Sequence, residues 1–495
     1  MLDAVNGPSA RVGQRAHYDT VIVGGGIAGL VCGTQLAQLG RRALIVERSA
    51  QPGGCCSSFT QKGFTFDVAV HHISGCGRLS IVGSCLRALG IECEFVRLDP
   101  MDTIVFPSWS LPIPTRLDAF AASLAQRFPR ERAGIDAFFA ELVKLYRALL
   151  DERRESPTLV RYQDLTFAEM LDGFFDDPRI KLGLSGQWGY LGSPPQELSA
   201  VGMCQMVVNY WRDGAYYPRG GTQAFADAIA ARFVACGGDL LVSTTVRELI
   251  ADGRRVAGVR LADGREVGAD TVVSNVDPAQ TFFRLLDGAV EPAYADRLRA
   301  MRVSSPFVLL YLGVDARCDP TRLARGFYFF SEELGGPWLY VSSPTEIEPR
   351  MAPPGCHTMT IVASLTPEEE AAGDWRTVQE AKVRDVLNRI EEFVPGLRQH
   401  VQVMTVAHPP SGAERTSNFC GAPYGWAVIP QQAGMRRLAH ETPIDNLYLT
   451  GHWTIPGPGV CAVVASGWRV ANRIAAREPA AVQTLQRNTV TPVPA

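Results

Sequence analysis

Three glycines and one carboxylate near the start of the chain have the residue types and the spacing that bind a dinucleotide. Gly24, Gly26 and Gly29 form a G-x-G-x-x-G pattern, whose glycines permit a tight turn, close approach of a pyrophosphate and close packing of a helix on a strand. Glu47 lies 18 residues after Gly29, where a carboxylate accepts hydrogen bonds from ribose hydroxyls and repels a 2′-phosphate. The pattern therefore favours FAD or NAD over NADP.

The residues around this pattern predict the elements that position it. Residues 20–23 are an apolar strand, residues 27–39 have the periodicity of an amphipathic helix, and residues 43–46 are a second strand. In such a βαβ unit the first amides of the helix have no partner within the helix, so they face the phosphates. Residues 446–475 predict a similar arrangement, because a strand, a Gly/Pro-rich loop and a helix follow one another there.

Composition limits the functions and partners that need to be considered. The chain has 495 residues, more than a single core usually serves, so at least two lobes are expected. A net charge of −3 and the lack of a basic cluster interleaved with aromatic residues argue against a nucleic-acid partner.

No apolar run approaches the roughly 18 residues that suggest a membrane-spanning helix, and the first 19 residues lack the apolar core of a secretory signal. We therefore expect a cytoplasmic protein. Peripheral contact with a membrane surface stays open, because it needs no long apolar run.

Twelve cysteines and eight histidines are scattered along the chain without the spacing of a metal site. No C-x-x-C occurs, and most of the cysteines lie in apolar stretches, where a reduced thiol behaves as a small hydrophobic group. We expect reduced thiols and no structural metal.

The middle of the chain predicts a helical insertion. Helical periodicity covers residues 80–90, 115–150 and 166–175. Residues 199–211 form an apolar helix with two methionines and two aromatic residues. Such a helix packs either in the core or as the wall of a tunnel for a long hydrocarbon, which flexible methionines and flat aromatic rings suit.

Two further groups of strands follow the insertion. A helix over residues 224–238, one strand over 239–249 and two short strands around a turn at 262–264 indicate that the chain returns to the first sheet. Residues 290–435 predict a second sheet with helices, including a helix over 375–392.

Five motifs in this order resemble the phytoene desaturase and carotenoid isomerase family of flavoproteins, within the broader amine oxidase-like FAD group. They are GGGIAGL at 24–30 with Glu47, PGG at 52–54 with GFTFD at 63–67, YPRGG at 217–221, SNVDP at 274–278, and LYLTGHWTIPGPGV at 447–460 with SG at 466–467. The resemblance implies an α/β fold, in which a discontinuous Rossmann-type FAD-binding domain joins a substrate domain made of a mixed sheet and helices. The expected boundaries are 15–75, 215–285 and 436–480 for FAD binding, 76–214 and 286–435 for the substrate, and 1–14 and 481–495 for mobile tails.

The resemblance also implies a place for each part of FAD. The glycine turn holds the pyrophosphate, Glu47 holds the ribose, and the backbone of Val246 meets the adenine. Gly53 and Gly54 lie beside the flavin, Gly451 lies at the ribityl chain, and residues 459–460 lie at the pyrimidine end, where amides and a helix dipole stabilise negative charge. The full set of expected FAD-binding residues is Gly24, Gly26, Ile27, Ala28, Gly29, Glu47, Arg48, Gly53, Gly54, Cys55, Val246, Gly451, His452, Gly459 and Val460.

The function that the resemblance implies is an FAD-dependent oxidoreductase acting on C–C bonds of a long lipophilic polyene or isoprenoid. Desaturation, isomerisation and saturation by hydride transfer at flavin N5 all stay open. One alternative is an FAD-dependent oxidase or desaturase of another secondary metabolite, including an amine. Another is a non-catalytic prenyl- or lipid-binding protein of the same fold. No second G-x-G-x-x-G follows a strand, so oxygen or a quinone is the expected electron acceptor.

A proton must also leave or enter during desaturation or saturation, so we expect a polar group in the tunnel to act as an acid or a base. No motif selects one among the candidates, which are His71, His72, His452, Tyr424 and Arg219. Each histidine is also compatible with a structural, hydrogen-bonded role. Arg219 is expected either to neutralise a phosphate or to pair with a carboxylate.

Two departures from the family pattern bear on the substrate. Cys55 and Cys56 follow PGG, where the family's desaturases often carry arginine, and GHW stands at 451–453 in place of small or acidic residues. We expect His452 and Trp453 to lie near the flavin and to narrow or reshape the cavity around a substrate unlike phytoene.

Overall fold

The computed structural model describes residues 15–150, 156–318, 320 and 323–477. The two stretches predicted to be mobile tails, 1–14 and 481–495, lie outside these residues. The described chain alternates short strands and helices in the manner of an α/β protein, which confirms the predicted fold class.

The strands are β1 (His17–Val23), β2 (Ala43–Val46), β3 (Ser58–Gln61), β4 (Phe64–Asp67), β5 (Ile73–Ser74), β6 (Phe95–Leu98), β7 (Asp102–Val105), β8 (Ser110–Ile113), β9 (Ala215–Pro218), β10 (Asp239–Leu241), β11 (Val246–Asp252), β12 (Arg255–Leu261), β13 (Glu266–Ser274), β14 (Phe307–Val314), β15 (Gly326–Phe329), β16 (Trp338–Ser342), β17 (His357–Ser364), β18 (Val401–Ala407) and β19 (Leu447–Leu449).

The α-helices are α1 (Ile27–Gln38), α2 (Ile81–Leu89), α3 (Leu117–Arg127), α4 (Arg132–Leu150), α5 (Pro157–Tyr162), α6 (Phe167–Asp172), α7 (Pro178–Ser185), α8 (Ala200–Asp213), α9 (Gly221–Ala235), α10 (Pro292–Ala300), α11 (Pro367–Ala371), α12 (Trp375–Phe393), α13 (Leu397–His400), α14 (Pro409–Thr416) and α15 (Val460–Ala476). Among the described residues, no helix has both the length and the apolar character to cross a membrane.

The first sheet has the order β10-β2-β1-β13-β12-β11, and β19 pairs with the end of β13. Strands β10, β2, β1, β13 and β19 are parallel, whereas β11 and β12 extend the sheet as an antiparallel hairpin. Strands from the start, the middle and the end of the chain therefore form one Rossmann-type sheet. The carboxyl ends of β1, β2 and β19 meet at one edge, where parallel α/β sheets bind ligands.

Helix α1 is not amphipathic in its surroundings, contrary to the prediction for residues 27–39. All but the last of its residues are buried, because α9 and α15 cover it where it does not face the sheet. Its polar side chains form hydrogen bonds inside the protein: the Thr34 hydroxyl donates to the carbonyl of Leu30 at 2.7 Å, and Gln35 donates to Asn472 at 3.4 Å.

The second sheet has the order β18-β14-β17-β16-β15-β7-β8 and is mixed, because β15 and β7 are parallel and the other pairs are antiparallel. Helices α3 to α8 contribute to the apolar core on one face, and α12 and α13 contribute to the core on the other. This confirms the second sheet predicted within residues 290–435. The stretch 76–214 is not purely helical, however, because β7 and β8 come from it and complete this sheet.

Two predicted elements are interrupted. The strand predicted over 239–249 is broken, since β10 ends at Leu241 and β11 begins at Val246. Ser243 has a φ of +50° there, and the amides of Ser243 and Thr244 donate to the carbonyls of Ser49 and Glu47 instead of to a sheet partner. The helical stretch predicted over 115–150 is divided between α3 and α4 by a 3₁₀ turn that begins with Pro129.

Candidate functional site

The glycine turn after β1 has the geometry of an anion-binding helix start. Gly24 has a φ of +99°, which favours glycine. A Cβ placed on Gly29 would lie 2.3 Å from the Gly24 carbonyl oxygen, so α1 begins in direct contact with the turn. No side chain caps the N-terminus of α1 at Gly26, and no acidic residue occupies its first turn. The first amides, on Ile27 and Ala28, are therefore available to a bound anion.

The Glu47 carboxylate lies beside this turn and is fixed by two backbone amides. Its Oε2 accepts from the amide of Gly25 at 2.7 Å, and its Oε1 accepts from the amide of Ser49 at 2.7 Å. The backbone carbonyl of Glu47 also accepts from Thr244 at 2.9 Å. That contact brings the start of β11, with the buried Val246, to the same edge of the sheet.

A second pair of glycines packs on the turn. The Gly53 amide donates to the Gly25 carbonyl at 2.9 Å, and a Cβ on Gly54 would lie 3.3 Å from the Cα of Gly26. Both glycines have positive φ, +122° and +59°. The next residue, Cys55, is half-buried, and burial raises the pKa of its thiol.

The guanidinium of Arg48 is engaged elsewhere. It donates to the carbonyl of Glu414 at 3.0 Å, to the carbonyl of Arg415 and to the hydroxyl of Ser417. These groups end α14, where a cation is favourable because the helix dipole is negative there.

The C-terminal glycine loop meets the first turn through Asn275 of the SNVDP motif. The Asn275 side-chain amide donates to the Gly24 carbonyl at 3.1 Å, and a Cβ on Gly451 would lie 2.7 Å from the Asn275 Oδ1. Gly451 has a φ of +97°, and its amide donates to the hydroxyl of Ser466 at 2.9 Å. Asn275 therefore joins glycine loops that are far apart in sequence.

Helix α15 supplies a second helix N-terminus without a capping side chain. Its N-cap is Gly459, with a φ of +105° and no side-chain hydrogen bond. The helix crosses α1 closely, since a Cβ on Gly467 would lie 2.3 Å from the carbonyl oxygen of Ala28. Two uncapped helix starts and several close-approach glycines thus converge on one region, which fits an extended dinucleotide.

A cavity of about 130 Å³, partly open to solvent, begins at the second helix start. Gly459, Val460 and Cys461 form one side of it. The residues that line it are Ala69, Val70, His71, His72, Ser74, Tyr190, Leu191, Gly202, Gln205, Met206, Asn209, Tyr210, Tyr424, Val428, Ala433, Gly434, Arg437, Pro456, Pro458, Gly459, Val460, Cys461 and Ala462.

Helix α8 takes both of the roles considered for residues 199–211. Met203, Val207 and Trp211 are buried in the core between the second sheet and the helices. The side chains of Met206 and Tyr210 line the cavity. The two methionines of this helix therefore face different environments.

A buried polar cluster stands at the cavity wall. The Tyr190 hydroxyl lies 2.9 Å from His72 Nε2 and 3.0 Å from Asp102 Oδ2. Tyr340 donates to Asp102 Oδ1 at 3.2 Å, and Gln187 donates to Asp102 Oδ2 at 2.7 Å. The side chains of His72 and Asp102 are almost fully buried, at 1% and 0% exposed, and their closest N–O distance is 3.4 Å.

The other candidate acid–base residues have distinct surroundings. His71 lines the cavity and packs on the Tyr340 ring at 4.3 Å, and burial lowers its pKa to about 3. Tyr424 also lines the cavity, and burial raises the pKa of its phenol. His452 does not belong to the cavity lining, and burial lowers its pKa to about 3.

Arg219 is partly exposed, donates to the carbonyl of Ile347 at 2.6 Å and lies 3.5 Å from a carboxylate oxygen of Glu94.

Trp453 does not narrow the cavity, contrary to expectation. Its ring is buried in the apolar core of the first sheet and packs edge-to-face on Trp426 at 4.9 Å. Trp453 therefore stabilises the fold, because its ring packs in the core and is not part of the cavity lining.

Arg437 is a buried cation that the sequence did not single out. It is 2% exposed, and burial lowers its pKa to about 9. Its guanidinium donates to the carbonyls of His452 at 2.7 Å, Trp426 at 3.1 Å and Tyr424 at 3.1 Å. Within the described chain no carboxylate pairs with it, so its charge leaves the cavity wall positive beside the start of α15.

Asp102, Gln187 and Tyr190 were also missed by sequence reasoning. Asp102 lies in β7, whereas Gln187 and Tyr190 lie together in GQWGYLG, and the only local signals are an aspartate at the start of an apolar strand and a tyrosine between glycines. Neither signal indicates a partner, because the partners are distant in sequence.

Comparison with known proteins places this geometry in a family. The family model described as flavin containing amine oxidoreductase matches residues 27–475. The chain is 28% identical to a chloroplastic prolycopene isomerase of Arabidopsis thaliana, over 94% of this chain and 84% of the relative. It is 27% identical to a lycopene-forming phytoene desaturase of Pseudescherichia vulneris, over 90% of this chain and 97% of the relative.

A third relative is an all-trans-retinol 13,14-reductase of Danio rerio, which is 25% identical over 88% of this chain and 82% of the relative. Among solved structures, an oxidoreductase from Methanosarcina mazei superposes with a TM-score of 0.68 at 20% identity, covering 92% of this chain and 99% of its own, and supports the fold. The family match, its extent and the two glycine loops lead to one conclusion: the chain belongs to the flavin-containing amine oxidoreductase family.

Proposed function

We propose that this protein is an FAD-dependent oxidoreductase that desaturates, isomerises or saturates C–C bonds of a long lipophilic polyene or isoprenoid. The enzyme class and the FAD cofactor follow from the family. The observation that carries the substrate class is a cavity with mostly apolar and aromatic lining that begins at the N-terminus of α15. A site of this kind holds a hydrocarbon next to a cofactor that α15 approaches with its amides.

The residues that we propose to hold FAD are those of the two glycine loops. The amides at the start of α1 would bind the pyrophosphate, the Glu47 carboxylate the ribose, and the loop from Gly451 to Val460 the flavin end. Bound there, FAD supplies a hydride acceptor or donor. Arg437 and the start of α15 would supply positive charge. The buried wall of the cavity would exclude water, and the lining residues would align the substrate.

The relatives support a polyene as the substrate class. A prolycopene isomerase, a phytoene desaturase and an all-trans-retinol 13,14-reductase are named for isomerisation, desaturation and reduction. All three reactions alter the double bonds of a conjugated or isoprenoid chain without requiring a charged substrate group. The side chains of Met206 and Tyr210 offer the adaptable and flat surfaces that such a chain needs.

The charge of the cavity argues against an amine. Among the described residues that line the cavity none is acidic, and Arg437 contributes a positive charge. His71, with its lowered pKa, is neutral at physiological pH. A protonated amine would meet no carboxylate in the lining itself, since Asp102 lies behind it and already accepts from Gln187, Tyr340 and Tyr190, and an unpaired charge is unfavourable in a buried environment. A non-catalytic binding protein is less consistent with two intact glycine loops that converge on one region.

We further propose that oxygen or a quinone accepts the electrons.

We also propose that this protein is cytoplasmic and contacts a membrane surface peripherally. Gly434 lines the cavity, and the next residue, Met435, is 57% exposed. Arg436 pairs with Asp164 at 2.6 Å, which keeps this loop close to α5, whose Val160 is also 57% exposed. Exposed apolar side chains beside a lipid-binding cavity suit contact with a bilayer.

The function is tested by incubating the purified flavoprotein with candidate polyenes, first in air and then anaerobically with reduced flavin. Product mass distinguishes the reactions: loss of two hydrogens indicates desaturation, gain of two indicates saturation, and equal mass with altered retention indicates isomerisation. Turnover of amines without turnover of polyenes would support the amine alternative. Failure to bind FAD would contradict both enzymatic functions.

A matched pair of variants on α8 ties the reaction to the cavity. Met206→Trp fills space next to the substrate, so we expect conversion of long polyenes to fall more than tenfold while the flavin spectrum stays unchanged. Met203→Leu alters the same helix on its core face and should leave conversion within about twofold of wild type, since volume-conserving core changes are well tolerated.

A further inference from the structure

One ring nitrogen in the buried cluster at the cavity wall has no partner. His72 is among the residues that line the cavity, and its ring Nε2 lies 2.9 Å from the Tyr190 hydroxyl. Its Nδ1 is buried and forms no hydrogen bond within the described chain. An unprotonated ring nitrogen without a hydrogen-bond partner can accept a proton from a molecule in the cavity.

The proton on His72 can be located from the hydrogen bonds of the cluster. The Asp102 carboxylate can only accept, and it accepts from Gln187 at 2.7 Å, from Tyr340 at 3.2 Å and from Tyr190 at 3.0 Å. A tyrosine hydroxyl has one proton, so Tyr190 gives it to Asp102 and uses its oxygen to accept from His72 Nε2. Neutral His72 thus carries its proton on Nε2, and Nδ1 is left as a proton acceptor.

Further contacts fix which groups donate and which accept in these hydrogen bonds. The Trp211 indole N–H donates to Gln187 Oε1 at 3.0 Å, which turns the Gln187 amide nitrogen toward Asp102. Burial, and then the charge of Asp102, raise the pKa of Tyr190 well above its ordinary value, so that phenol keeps its proton. Tyr340 is held protonated in the same way. Asp102 is therefore the one carboxylate in the cluster, and it accepts hydrogen bonds from the neutral side chains of Gln187, Tyr340 and Tyr190.

Resting on the polyene function proposed above, we propose that His72 Nδ1 is the proton acceptor and donor of the reaction, and that Asp102 and Tyr190 are positioning residues. In desaturation, His72 Nδ1 would take a proton from one substrate carbon, and a double bond would form to the adjacent carbon as that carbon gives up a hydride with two electrons. Bound FAD would supply the acceptor for that hydride. In saturation, Nδ1 would return the proton and reduced FAD would supply the hydride.

Asp102 offsets the cost of a positive charge on the His72 ring in the buried wall of the cavity. When Nδ1 takes a proton the ring becomes a cation, and a buried cation without a partner is strongly disfavoured. The Asp102 carboxylate, 3.4 Å from Nε2, supplies the opposite charge. The titratable or charged groups that face the ring or its neighbours are Asp102, Tyr190, Tyr210, Tyr340 and His71. His71 is neutral because burial lowers its pKa to about 3.

The first test measures the ring without turnover. Exchange of the histidine C2 hydrogen, followed by mass spectrometry across pH, reports the protonation midpoint of each histidine in the oxidised holoenzyme. We expect the midpoint of His72 to move to lower pH in Asp102→Asn, because the carboxylate no longer stabilises the cation. An unchanged midpoint would contradict the coupling. The buried His440, which contacts the carbonyl of Leu449 at 3.1 Å, serves as the internal reference and should not move.

The second test follows anaerobic reduction of the flavin by a polyene that the wild-type enzyme desaturates. His72→Gln should reduce the rate by about 10²- to 10⁴-fold, the usual contribution of a positioned acid or base, with substrate affinity and FAD content close to wild type. The limb of the pH profile that rises as His72 loses its proton should disappear in this variant. In Asp102→Asn that limb should shift to lower pH.

A matched variant, His440→Gln, removes a buried histidine outside the cavity and should reduce the flavin at the wild-type rate. If His72→Gln also reduces the flavin at the wild-type rate, the role of His72 is wrong while the polyene function stands. If the wild-type enzyme converts no polyene at all, the proposed function fails, and the role of His72 fails with it. Loss of FAD from His72→Gln would instead assign the ring to cofactor retention and overturn its role as a proton acceptor.

Discussion

The glycine turn at the start of α1 makes a quantitative prediction for Gly29→Ala. The new Cβ would lie 2.3 Å from the Gly24 carbonyl oxygen and 2.9 Å from the Asn275 side-chain nitrogen. Carbon and oxygen need about 1 Å more than this, and a packed interior transmits the displacement to its neighbours. The start of α1 must therefore move away from the turn, and the amides of Ile27 and Ala28 must move with it.

The expected cost has two parts. Overpacking of this kind destabilises a fold by about 1–3 kcal/mol. Loss of alignment between the helix amides and the pyrophosphate should weaken FAD binding at least tenfold, which corresponds to about 1.4 kcal/mol. We would measure FAD affinity by titrating the apoprotein while following flavin fluorescence, and stability by thermal unfolding with and without FAD. At excess FAD, the stabilisation by the cofactor should shrink by about 1.4 kcal/mol for each tenfold loss of affinity.

Gly33→Ala is the matched control, since Gly33 lies one turn further along the same helix. Its new Cβ would lie 2.8 Å from the Cδ1 of Ile45 and 3.0 Å from the Cδ1 of Ile22. These atoms are ends of side chains and can move without displacing the turn. The control should lose stability and keep its affinity for FAD. Equal losses of affinity in the two variants, or wild-type affinity in Gly29→Ala, would refute the reasoning.

Three other perturbations have clear expected outcomes. Arg437→Met removes the buried positive charge beside the cavity, so the midpoint potential of the bound flavin should fall by about 30 mV or more, where 30 mV corresponds to about 1.4 kcal/mol for two electrons; an unchanged potential in spectroelectrochemical titration would place this charge away from the flavin. Burial raises the pKa of Asp277 from 3.8 to about 6, so the unfolded chain ionises at lower pH than the folded one and stability should fall by about 3 kcal/mol between roughly pH 4 and 6. Asp277→Asn should remove this part of the pH dependence in urea unfolding, and an identical slope in variant and wild type would show that another group is responsible. Met435→Glu should reduce co-sedimentation with anionic lipid vesicles several-fold at unchanged FAD content, and equal binding would exclude this loop from the membrane contact.

The sequence predicted the parts of the molecule that depend on local geometry. The turn from Gly24 to Gly29 and the strands on either side of α1 follow from glycine conformation and apolar periodicity within some thirty residues. The C-terminal strand, loop and helix were found for the same reason. The roles of individual residues toward FAD remain predictions.

The parts that were missed depend on partners far away in sequence. Strands β7 and β8 are only four residues long and lie within a helical region, and β7 is held by pairing with β15 from the second half of the chain. The burial of α1 on every side requires α9 and α15. The contact between His72, Asp102 and Tyr190 likewise joins three segments whose local patterns give no sign of one another.

The close crossing of α1 and α15 has a consequence for biosynthesis. The first glycine turn leaves the ribosome early, whereas Gly451, Gly459 and Gly467 are among the last residues of the described chain to be made. Neither helix start has a capping side chain. A nascent chain that stops before α15 lacks both the helix that packs on α1 and the loop that we propose to hold the flavin end. We therefore expect stable retention of FAD only after translation has passed this helix and both ends of the chain have met.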